Sequence, residues 1–287
     1  MTLNTHSLVE RDYEEKLRQF VRGVLAEGPD VIALEEVNQT IAAPPADDEL
    51  LCGYVPAQES VPIRADNHAA RAARLLREAG VTYSWTYLPV KVGYGKYDEG
   101  LALLSREREI ARVESCLISR TDDYACWKTR RALAMQPEGM SDWFCAVHMG
   151  WWADAQEPFL AQWEMLRSFL AERARHAPVW LMGDFNAPAE VRGEGYDRIA
   201  ADGWHDTYIL ARLRGEGATI PGAIDGWRDG KTAAGGLRID QIWCSQAAEI
   251  AESRVVFDGR EHPVVSDHFG VMIRGLPPGC AGREGDA

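Results

Sequence analysis

Apolar residues recur at helical spacing in three stretches of the chain. After Asp12, the residues Leu17, Phe20, Val21, Val24 and Leu25 form one stripe, which Gly28-Pro29 ends; Asp12 and Glu15 have the spacing of an N-terminal capping box. A second helix is predicted over 66–80. A third is predicted over 158–175, where Phe159, Trp163, Leu166 and Leu170 share one face. Between the helices lie short apolar runs, read as strands at 31–34, 101–105, 143–148, 179–185, 237–243 and 271–273. Strands separated partly by helices and partly by plain loops suggest stacked layers of sheet and helix rather than a simple barrel. No long linker or repeat divides the chain. One domain over 1–276 is therefore expected, with an acidic, proline-rich surface loop at 42–49 and a frayed tail at 277–287.

The polar residues at the ends of these runs carry the chemistry. Val31-Ile32-Ala33-Leu34 runs into Glu35-Glu36, Phe144-Cys145-Ala146-Val147 into His148, and Val179-Trp180-Leu181-Met182 into Gly183-Asp184-Phe185-Asn186. Asp240 stands between Ile239 and Ile242, and Val264-Val265-Ser266 leads to Asp267-His268 before the last strand. Each feature alone has a plain structural reading: a turn in which Asp and Asn bond local backbone, or a structural histidine. Asp240 resists that reading, because a buried carboxylate without a partner is costly. Together the runs deliver carboxylates, amides and imidazoles to one edge, where ligands of α/β sheets commonly sit. Glu36, Asp184, Asp267, Asn186 and Asn4 offer hard oxygen ligands without thiolates, a set that suits magnesium or manganese better than zinc. Asp184 and Asn186, two apart, would point to one side of an extended segment. A histidine held by a carboxylate can stabilise developing negative charge. These parts fit metal-assisted hydrolysis of a phosphate ester.

Composition narrows the surroundings of such a site. Of 287 residues, 46% are hydrophobic and 26% charged, an ordinary soluble composition, and no apolar run approaches a membrane span. Forty-four acidic residues against 31 basic ones give a net charge of -13, which opposes nonspecific nucleic-acid binding over most of the surface. None of the six cysteines forms a C-x-x-C pair, and the first ten residues show no basic region followed by an apolar run; reduced thiols in a cytoplasmic protein are expected.

The full set of residues resembles the endonuclease/exonuclease/phosphatase superfamily: Asn4 in LNTHS, Glu36 in ALEEV, Glu99 in DEGLALLS, His148 in VHMG, Asp184 and Asn186 in GDFN, Asp240 in RIDQIW and Asp267-His268 in SDHFGV. The resemblance spans residues 4 to 268 and implies a four-layered α/β sandwich, two packed mixed sheets flanked by helices, with a divalent-metal site at one end. It implies Glu36 as principal metal ligand with Asn4 beside it, and Asp267 at the metal or its hydration shell. It further implies Asp184 on the attacking water, Asn186 supporting phosphate oxygens, His268 on the scissile phosphate held by Asp240, and His148 partnered by Glu99. One position departs from the family pattern: Glu35 stands where glutamine is common. Adjacent strand residues face opposite ways, so Glu35 is not expected to replace Glu36.

The superfamily includes nucleases, sphingomyelinases and several phosphatases, so the site alone does not name a substrate. The strings LNTHS, DVIALEEVNQ, YDEGLALLSR, WKTRRAL, HMGWW and SDHFGV are similar to its maltose 6'-phosphate phosphatase branch, which implies a phosphorylated sugar as the small-molecule substrate. Lys128, Arg130 or Arg131 is then expected to contact phosphate, and Trp151 or Trp152 to stack on sugar. The stretch 91–97, with Lys91, Tyr94, Lys96 and Tyr97 among glycines, is expected as a mobile flank of the pocket. A magnesium-dependent endonuclease or other phosphodiesterase is the alternative, and needs a basic groove that the composition opposes. A non-catalytic phosphate-binding module is disfavoured, because it would have no need to keep costly convergent carboxylates.

Overall fold

A computed structural model describes residues 1–57, 61–220 and 236–275. The expected tail at 277–287 lies outside them. Strands and helices are numbered along the chain. One sheet runs in the order β10 (Leu213–Arg214), β12 (Ile250–Val256), β13 (Gly270–Gly275), β1 (Thr2–Asn4), β2 (Val31–Thr40), β4 (Tyr97–Arg106) and β3 (Tyr83–Gly93). The other runs β5 (Ile110–Leu117), β6 (Arg131–Pro137), β7 (Trp143–His148), β8 (Val179–Asp184), β11 (Asp240–Cys244) and β9 (His205–Asp206). Both are mixed: β1 runs parallel to β2 and β7 to β8, whereas β11 is antiparallel to β8 and β4 to β2.

Strand alternation builds the layers. Ile32 and Leu34 of β2 and Ala102 and Leu104 of β4 point outward, onto α1 (Tyr13–Glu27) and α2 (His68–Glu78). Their neighbours Val31, Ala33, Leu101 and Leu103 point inward and meet Leu133, Ala146, Met182 and Ile242 of the second sheet. Cys145, Val147 and Leu181 then face outward again, onto Phe159, Trp163, Leu166 and Leu170 of α3 (Phe159–His176). The result is helix, sheet, sheet, helix, the expected four layers.

All three expected helices form. Gly28 ends α1 in the left-handed conformation (φ 60°), its N–H reaching the Val24 carbonyl at 2.9 Å. The capping box does not form. Asp12 is itself left-handed (φ 57°) and caps nothing with its side chain, while Glu15 turns to Arg18, Gln19 and Arg22. Among the strands, β3 escapes the sequence pattern, because Pro89 interrupts it and a lysine stands among its valines.

Candidate active site

Five segments end at the same edge of the sandwich. β1 delivers Asn4, β7 His148 and β8 Asp184; β11 begins there at Asp240, directly opposite Asp184 in the ladder, and the turn before β13 brings His268. Glu36 arrives by a β-bulge. The β2–β4 register shifts between Leu34 and Val37, and Glu36 adopts φ 50°. The extra residue re-aims Glu36 into the cleft while Glu35 stays fully buried, accepting from the Thr2 hydroxyl at 3.0 Å. The two glutamates therefore diverge, as alternation requires, but a bulge makes the divergence usable.

The carboxylates converge. Asn4 Nδ2 donates to Glu36 Oε1 at 3.0 Å and to Asp184 Oδ2 at 3.3 Å. His148 bridges the same pair, with Nδ1 4.0 Å from Glu36 and Nε2 3.6 Å from Asp184. His268 Nδ1 lies 2.9 Å from Asp240 Oδ2. Ser266 fixes the adjoining turn, donating to the Asn4 carbonyl at 2.7 Å and to Asp267 at 3.2 Å. Asn186 is left-handed (φ 46°) rather than extended, so the turn reading holds for it. Its backbone N–H donates to Asp184 Oδ1 at 2.8 Å and its side-chain amide to the Met149 carbonyl at 2.9 Å.

The opposite wall of this cleft is cationic. A cavity of about 330 Å³ is lined by Glu36, Asp184, Asn186, His148 and His268 on one side and by Lys91, Glu99, Arg130, Trp127, Trp151 and Tyr94 on the other. The expected Glu99–His148 pair is not made: Glu99 binds Lys91 Nζ at 3.0 Å. Lys91 is not in a mobile flank; it sits in β3, buried, where the carboxylate partner makes burial tolerable. Of the three basic candidates, only Arg130 lines the cavity. Lys128 turns away to Asp154 at 2.6 Å, and Arg131 opens β6 opposite Leu117. Of the two tryptophans, Trp151 faces the cavity and Trp152 packs on Phe159 in the helical layer. Trp127, 54% exposed, joins Trp151 at the rim with ring centroids 5.8 Å apart. Its exposure is what the sequence could not supply. For Lys91, the alternation of Leu88, Val90 and Val92 around it was the available signal.

Burial sets the proton states. It pushes Asp184 up to about 7, with Asp240 adding to the rise, and raises Glu36, helped by Glu99. Burial and the charge of Asp240 hold Glu35 well above the usual carboxylate range. Burial opposes a charge on His268, but Asp240 and then Asp184 outweigh it and lift the imidazole to about 10. His148 goes the other way: burial and the nearby Arg130 and Lys91 hold it well below the usual histidine range. One imidazole is thus charged at neutral pH and the other is not. Carboxylates raised in this way are ones a bound cation would relieve. Asp184, Asp240 and His268 form one of three groups among the described residues whose ligand atoms lie within 4.8 Å of one another, His6, Glu10 and Asp267 forming another. The donors are oxygen and imidazole with no thiolate, a set that accepts a hard divalent ion.

A two-sheet sandwich with buried carboxylates, a charged and a neutral imidazole, and a cationic cleft defines a metal-dependent phosphoesterase. The profile of the Endonuclease/Exonuclease/phosphatase family matches residues 1–268, and the chain belongs to that family, whose members hydrolyse phosphate esters with divalent metals. Among solved structures, it is similar to an endonuclease/exonuclease/phosphatase family protein from Leptotrichia buccalis C-1013-b (25% identity, 96% of this chain and 98% of that one, TM-score 0.79). It also shares its fold with the mannosyl-6-phosphatase Bt3783 of Bacteroides thetaiotaomicron VPI-5482 (17%, 96% and 98%, 0.64) and with truncated Caenorhabditis elegans TDP2 (16%, 93% and 92%, 0.57). No curated protein matches the sequence. No helix among the described residues is long and apolar enough to cross a membrane.

Proposed function

We propose that this enzyme is a magnesium-dependent phosphomonoesterase that releases phosphate from a sugar phosphate, a disaccharide phosphate such as maltose 6'-phosphate. The observation that carries the reading is the Trp127–Trp151 pair at the mouth of the carboxylate–imidazole cleft. Aromatic faces at that position suit the apolar faces of sugar rings. The mannosyl-6-phosphatase of like fold and the sequence strings quoted above support the same substrate class. Manganese would serve the same donors. The five described cysteines are free thiols, which supports a cytoplasmic setting.

In this reading Glu36, Asn4 and Asp267 hold the cation. When bound, it polarises the phosphoryl group and offsets the charge of the attacking oxygen. Asp184 takes a proton from the incoming water, with Asn186 fixing its carboxylate through the backbone N–H. His268, kept charged by Asp240, donates to a phosphate oxygen as negative charge develops there. Neutral His148 bridges Glu36 and Asp184 and orients both. Glu99 acts through Lys91 rather than through His148.

The test is release of inorganic phosphate from sugar phosphates, nucleotides and inositol phosphates, with plasmid DNA as the nuclease control and chelator as the metal control. Sugar phosphates are expected to lead. Nicking of plasmid with no sugar-phosphate turnover would turn the assignment to a nuclease. Trp127→Ala should raise KM for a disaccharide phosphate about tenfold, and much less for an aryl phosphate, because only the sugar loses its stacking face. Equal effects on both substrates would remove the ring from sugar recognition.

A further inference from the structure

Two buried cations stand across the cleft from the carboxylates, and the fold does not use up their donors. Arg130 is 3% exposed. Its Nη1 is anchored to the carbonyls of Trp127 (2.9 Å) and Thr129 (3.1 Å), while Nε is buried with no partner. Among the described residues Nη2 makes no hydrogen bond either. Lys91, also buried, pairs with a single carboxylate oxygen, Glu99 Oε1 at 3.0 Å, which leaves its other N–H donors without a partner among the described residues. A planar guanidinium held on one side by its own loop and left unmet on the other is set to take oxyanion oxygens.

We propose that Lys91 and Arg130 form an oxyanion-reading wall that takes the terminal oxygens of a phosphomonoester dianion, and that this wall is what excludes phosphodiesters. The inference rests on the phosphoesterase reading of the same cleft. A monoester has three terminal oxygens and two charges. With His268 and the metal-side groups engaging one face of the phosphoryl group, an unsubstituted oxygen remains for the far wall. In a diester that position carries an ester oxygen with its substituent. One charge is gone, the acceptor is weaker, and two desolvated cations are left facing an alkyl group. Unmet buried donors make that arrangement costly, which is discrimination by penalty as much as by attraction. The carboxylate side offers no such distinction, since attack and metal support are common to both ester types.

The experiment compares p-nitrophenyl phosphate with methyl p-nitrophenyl phosphate, which share a leaving group, on the full chain with magnesium. Arg130→Gln should lower kcat/KM for the monoester about thirtyfold and for the diester at least tenfold less, with the larger part of the monoester loss in KM. Arg130→Lys should recover part of the preference, as a charge without the planar fork. Inorganic phosphate should inhibit Arg130→Gln about tenfold more weakly than wild type, and should raise the melting midpoint of the metal-free variant less than that of wild type. If Arg130→Gln loses its folded circular-dichroism spectrum, Lys91→Met carries the same comparison. Equal losses on both esters, with phosphate inhibition unchanged, would reduce Arg130 to a loop anchor and overturn the proposal. Wild-type enzyme that turns over neither ester would instead overturn the phosphoesterase reading beneath it.

Discussion

His268 keeps a proton because Asp240 lies 2.9 Å from Nδ1 in a place closed to water. The pair ties protonation to stability in a definite direction. A group whose folded pKa lies above its unfolded value stabilises the fold fully below the unfolded value, and that contribution is lost as pH rises through the folded one. For His268 the window runs from about 6.5 to about 10. Metal-free wild type should therefore lose about 5 °C more of its melting midpoint across that window than His268→Gln, which has no such proton to release. Parallel curves for the two proteins would show that the pair contributes nothing. Glu35 gives the complementary case. It is buried, its carboxyl is held well above the usual range by burial and Asp240, and Thr2 donates to it, so Glu35→Gln keeps an acceptor for Thr2 and tests whether the ionised acid matters. Its kcat/KM should stay within about threefold of wild type, as for a conservative change with no lost contact; a hundredfold fall would show that the ionised acid is needed. At this scale much of the site was legible, because Asp184, Asp240 and His268 interrupt apolar runs where a buried charge needs a reason. Lys91 was legible as a pocket residue but not as a buried strand residue, and the exposure of Trp127 was not legible, since it depends on what folds around the ring.

The strands place these side chains, and two local distortions set the aim. The bulge at Glu36 turns one residue of β2 into the cleft at φ 50°, a conformation a non-glycine residue adopts at a cost. Gly183, one residue before Asp184, has φ 144°, and a Cβ there would run into the Val147 carbonyl of β7 and crowd the Glu35 carboxyl. Gly183→Ala should thus force β7 and β8 apart just where they carry His148 and Asp184. A loss of about 3 kcal/mol in unfolding free energy is expected, with turnover falling alongside it; denaturant unfolding measures the first and phosphate release the second. An alanine variant of wild-type stability would mean the two strands yield there without strain. The helices and most inner strands were readable from periodicity, because burial imposes it. The bulge was not, since pairing register is a property of two strands and the sequence shows only one at a time. The same limit hid the Lys91–Glu99 pair, which exists only because β3 and β4 lie side by side.

Across the whole molecule, one end of the sandwich concentrates charge that the rest of the fold pays to keep there. Glu36 and Asp184 are both raised by burial, which means that each destabilises the metal-free protein while it is ionised. The overall charge of -13 adds no relief, so the compensation must be local. A cation binding only the folded state supplies it by mass action, and the midpoint should then rise with magnesium and fall back with chelator. Glu36→Gln separates the two roles of the residue. It removes a charge that costs stability and, in the proposed reading, the principal donor for the ion. Its metal-free midpoint should lie above that of wild type by a few degrees, roughly what relief of 1 kcal/mol gives a chain of this size. Its magnesium response should be largely absent and its turnover lower by about a hundredfold or more. The two curves should therefore cross as magnesium is added: the variant more stable without the ion, the wild type more stable with it. Curves that keep their order at every magnesium concentration would mean that the carboxylates converge for some purpose other than holding a cation.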